Sequence, residues 1–263
     1  MIVRKEQDGW LLINQPTHAW LAGRLAAAWG NADFAYPTPR AAVILATHLH
    51  DIGWLSTDES PRLGKDGTPV NFLDATLAET IPIWRLAVRQ VAVLDPFAAL
   101  LVSKHASKIY DRRLERGADP SESRNEIMSL LAEQESFRDE LRSRLVGHVV
   151  YNPASHTAPL NYAYRWLRVC DLVSLYLCAS DFPKSGEISE VPGRFPDEFV
   201  SIQYDRPAPF TLTLKPSPFS EPELQFTIQT RLLPYSSFNS QSSFKEMLEQ
   251  APWRPQTARI SSV

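Results

Sequence analysis

A histidine–aspartate doublet, His50-Asp51, sits inside an otherwise apolar run from Ala41 to Leu55. Burying a carboxylate without a partner costs on the order of several kcal/mol even after relaxation. A divalent metal ion is a natural partner, because imidazoles and carboxylates together suit such ions. Three further positions have the same character. His18 shares a helical face with Leu21, Ala22 and Leu25, and His105 shares one with Ala98, Leu101, Val102 and Ile109. Asp171 is the only acid between Val169 and Ala179 and lies beside Leu167, Leu172 and Leu175. Four helices therefore each bring an imidazole or a carboxylate to an apolar face. His48 projects about 160° away from His50 on a helix and serves elsewhere. Taken singly, each residue has a plainer reading. A lone histidine on an apolar face is usually a hydrogen-bonded core residue, and Asp171 can cap a helix or pair with Arg165 or Arg168. Taken jointly, each of these readings needs its own buried partner, and none stands nearby in the chain.

Softer candidates surround this set. Asp58, seven residues after Asp51, is placed to orient an attacking water from the start of a loop. Lys104 adjoins His105 and can hold a phosphate, or it can simply be a solvated lysine. Arg40 reads as a surface charge. Trp54 can stack on a ring or pack in the core. Cys170, beside Asp171 in an apolar segment, reads as a structural thiol rather than a nucleophile. The chain has no glycine-rich phosphate loop, no dinucleotide fingerprint, no Gly-x-Ser-x-Gly elbow and no Cys-x-x-Cys pair.

The elements that must position these residues follow from periodicity and breakers. Residues 1–14 read as a hairpin around Asp8-Gly9. Pro16 opens a helix to about Trp29, and a turn from Gly30 to Pro39 leads to a buried central helix over 40–55. Residues 56–74, rich in Gly and Pro, form a long loop of the kind that is often functional. Helices follow over 80–93, 97–115, 121–147 and 160–179. After Asp181 the prolines and glycines break any helix. Alternation then marks strands at Phe199–Tyr204, Phe210–Lys215 and Leu224–Leu232, while the tail 251–263 carries little signal.

The 263 residues can form one large domain, or one domain with a small appendage. A net charge of −3 makes no electrostatic case for a nucleic-acid polymer or an anionic membrane. No apolar run reaches the roughly 18 residues of a membrane span. Cys170 and Cys178, on one helix, stand about 12 Å apart, too far for a disulfide, which fits a reducing, cytoplasmic setting.

The order His18, His50-Asp51, Asp171 resembles the HD-domain superfamily, whose pattern is a histidine, a His-Asp doublet and a distant aspartate. Met1-Ile2-Val3-Arg4, Gly9-Trp10-Leu11-Leu12, His50-Asp51-Ile52-Gly53-Trp54 and Leu100-Leu101-Val102-Ser103-Lys104-His105 are similar, more closely, to an uncharacterised bacterial family, domain of unknown function 3891. The superfamily resemblance implies a mainly α fold: an HD-like helical bundle over 16–181. A small antiparallel sheet would join the hairpin of 1–15 to the strands of 182–263. It implies His18, His50, Asp51 and Asp171 as ligands of a divalent ion (Mn, Fe, Co, Ni, Zn or Mg). The implied activity is metal-dependent hydrolysis of a small phosphorylated molecule or nucleotide. His105, with Asp58 and Lys104, would assist as a phosphate ligand or proton donor. Two other classes remain open. A di-iron oxygenase would need a second metal, held by His105 with His148 or His156. A non-catalytic metal-binding or ligand-sensing module would present the helix over 121–147 to a partner.

Overall fold

The computed structural model describes residues 1–117, 119–196, 198–235 and 237–262. The hairpin is β1 (Ile2–Glu6) and β2 (Gly9–Ile13). The helical region follows with α1 (Gln15–Ala28), α2 (Arg40–Leu49), α3 (Leu55–Glu59), α4 (Leu77–Leu94), α5 (Pro96–Arg116), α6 (Ser121–Arg144), α7 (Tyr151–Ala154) and α8 (Thr157–Cys178). The chain closes with β3 (Ser185–Pro192), β4 (Phe199–Ala208), β5 (Thr211–Lys215), β6 (Glu223–Leu233), α9 (Gln241–Gln250) and β7 (Trp253–Ser262).

The sheet corrects the expected fold class. About 52% of the chain is helical and 22% is strand, so the molecule is not a mainly α bundle with a small sheet. Seven strands form one sheet in the order β1-β2-β6-β7-β5-β4-β3. It is mixed, because β5 and β7 run parallel while the other neighbours are antiparallel. The sheet was underestimated because β3 and β7 were not expected. In β7 only Ala258 and Ile260 are buried, so the strand shows no hydrophobic alternation. Its place in the middle of the sheet comes from backbone pairing on both sides, Trp253 to Ser261 with β6 and Arg259 to Ser262 with β5. Such pairing does not depend on side-chain type. β3 reads as breaker-rich because it is an edge strand, where proline at the end is tolerated.

The hairpin belongs to this sheet through pairing of β2 with β6. Its alternate side chains enter different cores. Ile2, Leu11 and Ile13 pack with the helices, whereas Val3 and Leu12 pack with Phe244 and Leu248 of α9 and with Phe238. A strand pair covered on both faces explains why its sequence is apolar at successive positions. The main core lies between the other face of the sheet and α1, α2, α5 and α8, and joins Leu25, Leu101, Trp166 and Val173 to Ile202, Leu212, Ile228 and Ile260.

Two glycines bring the helices that carry the doublet close together. A Cβ on Gly23 would lie 2.7 Å from that of His48, so α1 and α2 can touch only with glycine there. A Cβ on Gly53 would fall 2.1 Å from the Ile83 carbonyl oxygen of α4. The expected helix over 40–55 is accordingly broken. α2 stops at Leu49, His50 and Asp51 occupy the turn, and a short 3-10 segment, Ile52–Trp54, leads into α3.

Candidate metal centre

His18 comes from the first turns of α1, His50 and Asp51 from the end of α2, His105 from the middle of α5, and Asp171 from the middle of α8. The three imidazoles stand in a row, each T-shaped to the next, with ring centroids 5.1 Å apart from His18 to His50 and from His50 to His105. His18 Nε2 lies 2.9 Å from Asp51 Oδ2 and 3.7 Å from Asp171 Oδ1. His50 Nε2 lies 3.6 Å from Asp51 Oδ2 and 3.4 Å from Asp171 Oδ1. His105 Nε2 lies 3.7 Å from Asp171 Oδ2. Donors held at about 2.1 Å from one ion stand roughly 3.0 Å apart in an octahedron and 3.4 Å apart in a tetrahedron. The observed separations suit such a centre.

The tautomers sharpen this geometry. The single hydroxyl proton of Ser174 goes to the Asp171 carbonyl oxygen, 2.8 Å away, so Ser174 Oγ accepts from His18 Nδ1 at 2.7 Å. His50 Nδ1 donates to the Thr47 carbonyl oxygen at 2.8 Å. In the neutral form, both Nε2 atoms then present lone pairs to carboxylate oxygens. Acceptors facing acceptors repel unless a cation stands between them, either a proton or a metal ion. His50 Nε2 is buried and has no hydrogen-bond partner. The third imidazole is held by Tyr164, whose hydroxyl lies 3.4 Å from His105 Nδ1.

The local field is one that collects positive charge. Burial lowers the pKa of His50, but the carboxylates of Asp51 and Asp171, with the Thr47 carbonyl, outweigh it and raise the value to about 9. Burial opposes ionisation of Asp51 and Asp171 as well. His50, with His18 and, for Asp171, His105, overrides this and holds both carboxyls below their ordinary range. His105 is the exception. Burial dominates there and lowers its pKa to about 4, so its ring is neutral at pH 7 and free to ligate.

Among the described residues, two groups of donors converge closely enough to hold an ion: His18, His50 and Asp51, and His50, His105 and Asp171. Both use the same Nε2 of His50, which has one lone pair and binds one ion. Without His50, the second group keeps only two side chains. The two groups are therefore two faces of one centre.

The other sequence candidates fall outside it. Asp58 is buried, but its carboxylate pairs with the Met1 α-amine at 2.6 Å and accepts the Gln15 backbone N–H. That pairing ties α3 to Met1, and Asp58 is not among the residues lining the cavity at the centre. Lys104 points around α5 toward Lys108, Arg138 and Glu135, and burial with those cations lowers its pKa to about 8. His148 stacks on Tyr151 and accepts the backbone N–H groups of Val150 and Tyr151, and His156 sits exposed before α8. Neither reaches the centre, so neither completes a second site with His105. His48 packs on Gly23 and Trp20, and Arg40 caps the Ala27 carbonyl oxygen at 2.6 Å. Cys170 and Cys178 are free and buried.

Sequence reasoning missed the residues that orient the ligands. Thr47 is three residues before His50 and Ser174 three after Asp171, while Gln15, buried three before His18, lines the adjoining cavity. That i, i+3 spacing on a helix was the available signal. It also missed the cavity. His18, Asp51, His105 and Asp171 open onto a space of about 210 Å³, walled by Gln15, Trp54, Trp84, Tyr110, Leu175 and Phe72. Trp54 is thus both packed and cavity-lining.

No helix among the described residues is long and apolar enough to cross a membrane. No curated protein and no solved structure matches the chain. The model of a protein family of unknown function, DUF3891, matches residues 1–235. That span runs from the hairpin through β6, its partner in the sheet, and takes in every residue of the centre; the chain belongs to the DUF3891 family.

Proposed function

We propose that this protein is a metal-dependent phosphohydrolase with one divalent ion held by His18, His50, Asp51 and Asp171. The observation that carries the reading is the convergence of the His18 and His50 Nε2 atoms on the buried carboxylates of Asp51 and Asp171, with the Nδ1 atoms of both rings already hydrogen-bonded elsewhere. The resemblance of the His18, His50-Asp51, Asp171 order to the HD-domain superfamily supports the same ligands. A bound ion would lower the pKa of a coordinated water and polarise a phosphoryl oxygen. The chain's own contribution is position. Ser174 and Thr47 fix the rings, and the apolar walls exclude bulk water. His105 stands on the cavity side as a neutral imidazole, able to ligate the ion or hydrogen-bond a phosphoryl oxygen. In the reaction, water oxygen bonds to phosphorus, the ester P–O bond breaks, and the alcohol leaves with a proton.

A di-iron oxygenase is the weaker reading, because His148 and His156 stand away from the centre. Elemental analysis of purified protein tests the proposal. About one transition-metal ion per chain is expected, with manganese-stimulated release of phosphate from a monoester. A metal-free protein that does not take up manganese would sink it.

A further inference from the structure

The cavity beside the centre is unlike a nucleotide pocket. Four of its walls are the rings of Trp54, Phe72, Trp84 and Tyr110. Its rim carries Leu73, 54% exposed, and Ile109, 39% exposed. Large apolar side chains held open to solvent around an apolar cavity mark a surface that is covered when something binds. Of the polar groups, Tyr110 donates to Thr80 Oγ1 at 2.7 Å, while Gln15 Oε1 and Trp54 Nε1 are buried without a partner. Arg113 is the one lysine or arginine among the described lining residues, and both its Nε and Nη2 are engaged by Asp119, at 2.9 and 2.7 Å. A polyphosphate would bring several negative charges into this space with one ion and one half-neutralised guanidinium to meet them. A single phosphoryl group on the ion, with its ester group lying among the rings, brings less negative charge into this space than a polyphosphate does.

We infer that the cavity selects a phosphate monoester of an aromatic alcohol, its ring seated between the aromatic walls and the Leu73–Ile109 rim. This rests on the hydrolase reading above and narrows its substrate class. The geometry also ranks substrates. An aryl phosphate fills the cavity, a glycerol phosphate leaves it wet, and ATP presents charges that it cannot match.

The test uses the full chain loaded with manganese. Phenyl phosphate should be hydrolysed with kcat/KM about tenfold above glycerol phosphate and above ATP. Leu73→Asp should cut the phenyl-to-glycerol ratio about fivefold at unchanged metal content. Val93→Asp, on an exposed part of α4 outside the cavity, should leave the ratio alone. Equal or better turnover of glycerol phosphate or ATP overturns the inference. If no ester is hydrolysed, the hydrolase reading fails, and binding then decides the cavity separately. Quenching of tryptophan fluorescence should report phenylphosphonate binding about tenfold tighter than methylphosphonate, and equal binding would discard the aromatic subsite.

Discussion

Two faces of α5 bury polar groups in opposite ways. On one face, Arg138 of α6 reaches Ser103 Oγ at 2.9 Å, Ser107 Oγ at 2.8 Å and the Ser103 carbonyl oxygen at 3.3 Å, and it pairs with Glu135. Donors there meet acceptors, and the charge is neutralised. On the other face, His105 joins His18, His50, Asp51 and Asp171, where three imidazoles and two carboxylates converge and His50 Nε2 has no hydrogen-bond partner. Burial alone therefore does not mark a site. What separates the two clusters is that the first closes its hydrogen bonds within the chain, while the second turns on where a proton or another cation sits. The first holds two helices together; the second gathers side chains from four helices that could hold a metal ion.

Asp51→Ala should produce the largest effect on this contrast. It removes a carboxylate that faces two imidazoles, and metal bound per chain should fall to background in elemental analysis. Metal content equal to wild type would break the distinction between the two faces. Arg138→Ala should act the other way. It leaves Ser103 and Ser107 without their shared donor and should lower unfolding stability by about 3 kcal/mol in urea titration, with metal content intact. Metal loss at full stability would show that the Arg138 cluster belongs to the centre. Ser174→Ala frees the His18 ring, and metal affinity measured by competition with a chelator should drop about tenfold. Lys104→Ala should be nearly silent, within about 0.5 kcal/mol in stability and with no change in metal content, because its amine faces away from the cavity.

The centre was more legible than the fold around it. His18, His105 and Asp171 each interrupt an apolar face of period 3.6, and such interruptions can be seen without coordinates. The doublet stood out for the same reason, although the helix expected to contain it ends one residue earlier. Asp58 misled, because a carboxylate near a doublet reads as catalytic, while its partners, Met1 and Gln15, lie far off in sequence. β7 could not be read because two of its ten side chains are buried. Its stability comes from backbone pairs with β5 and β6, to which a hydrophobic pattern is blind.

By itself, the amino-acid sequence determined which residues can do chemistry here and that they would be buried. Imidazoles and carboxylates on apolar helical faces have nowhere else to go. Only the tertiary structure decided the rest. It brought His18, His50, Asp51, His105 and Asp171 together and placed Asp58, Lys104, His148 and His156 apart from them, because their meeting depends on contacts between α1, α2, α5 and α8 that no local spacing encodes. It also set the mixed seven-stranded sheet, the aromatic cavity and the place of His50 in both donor groups.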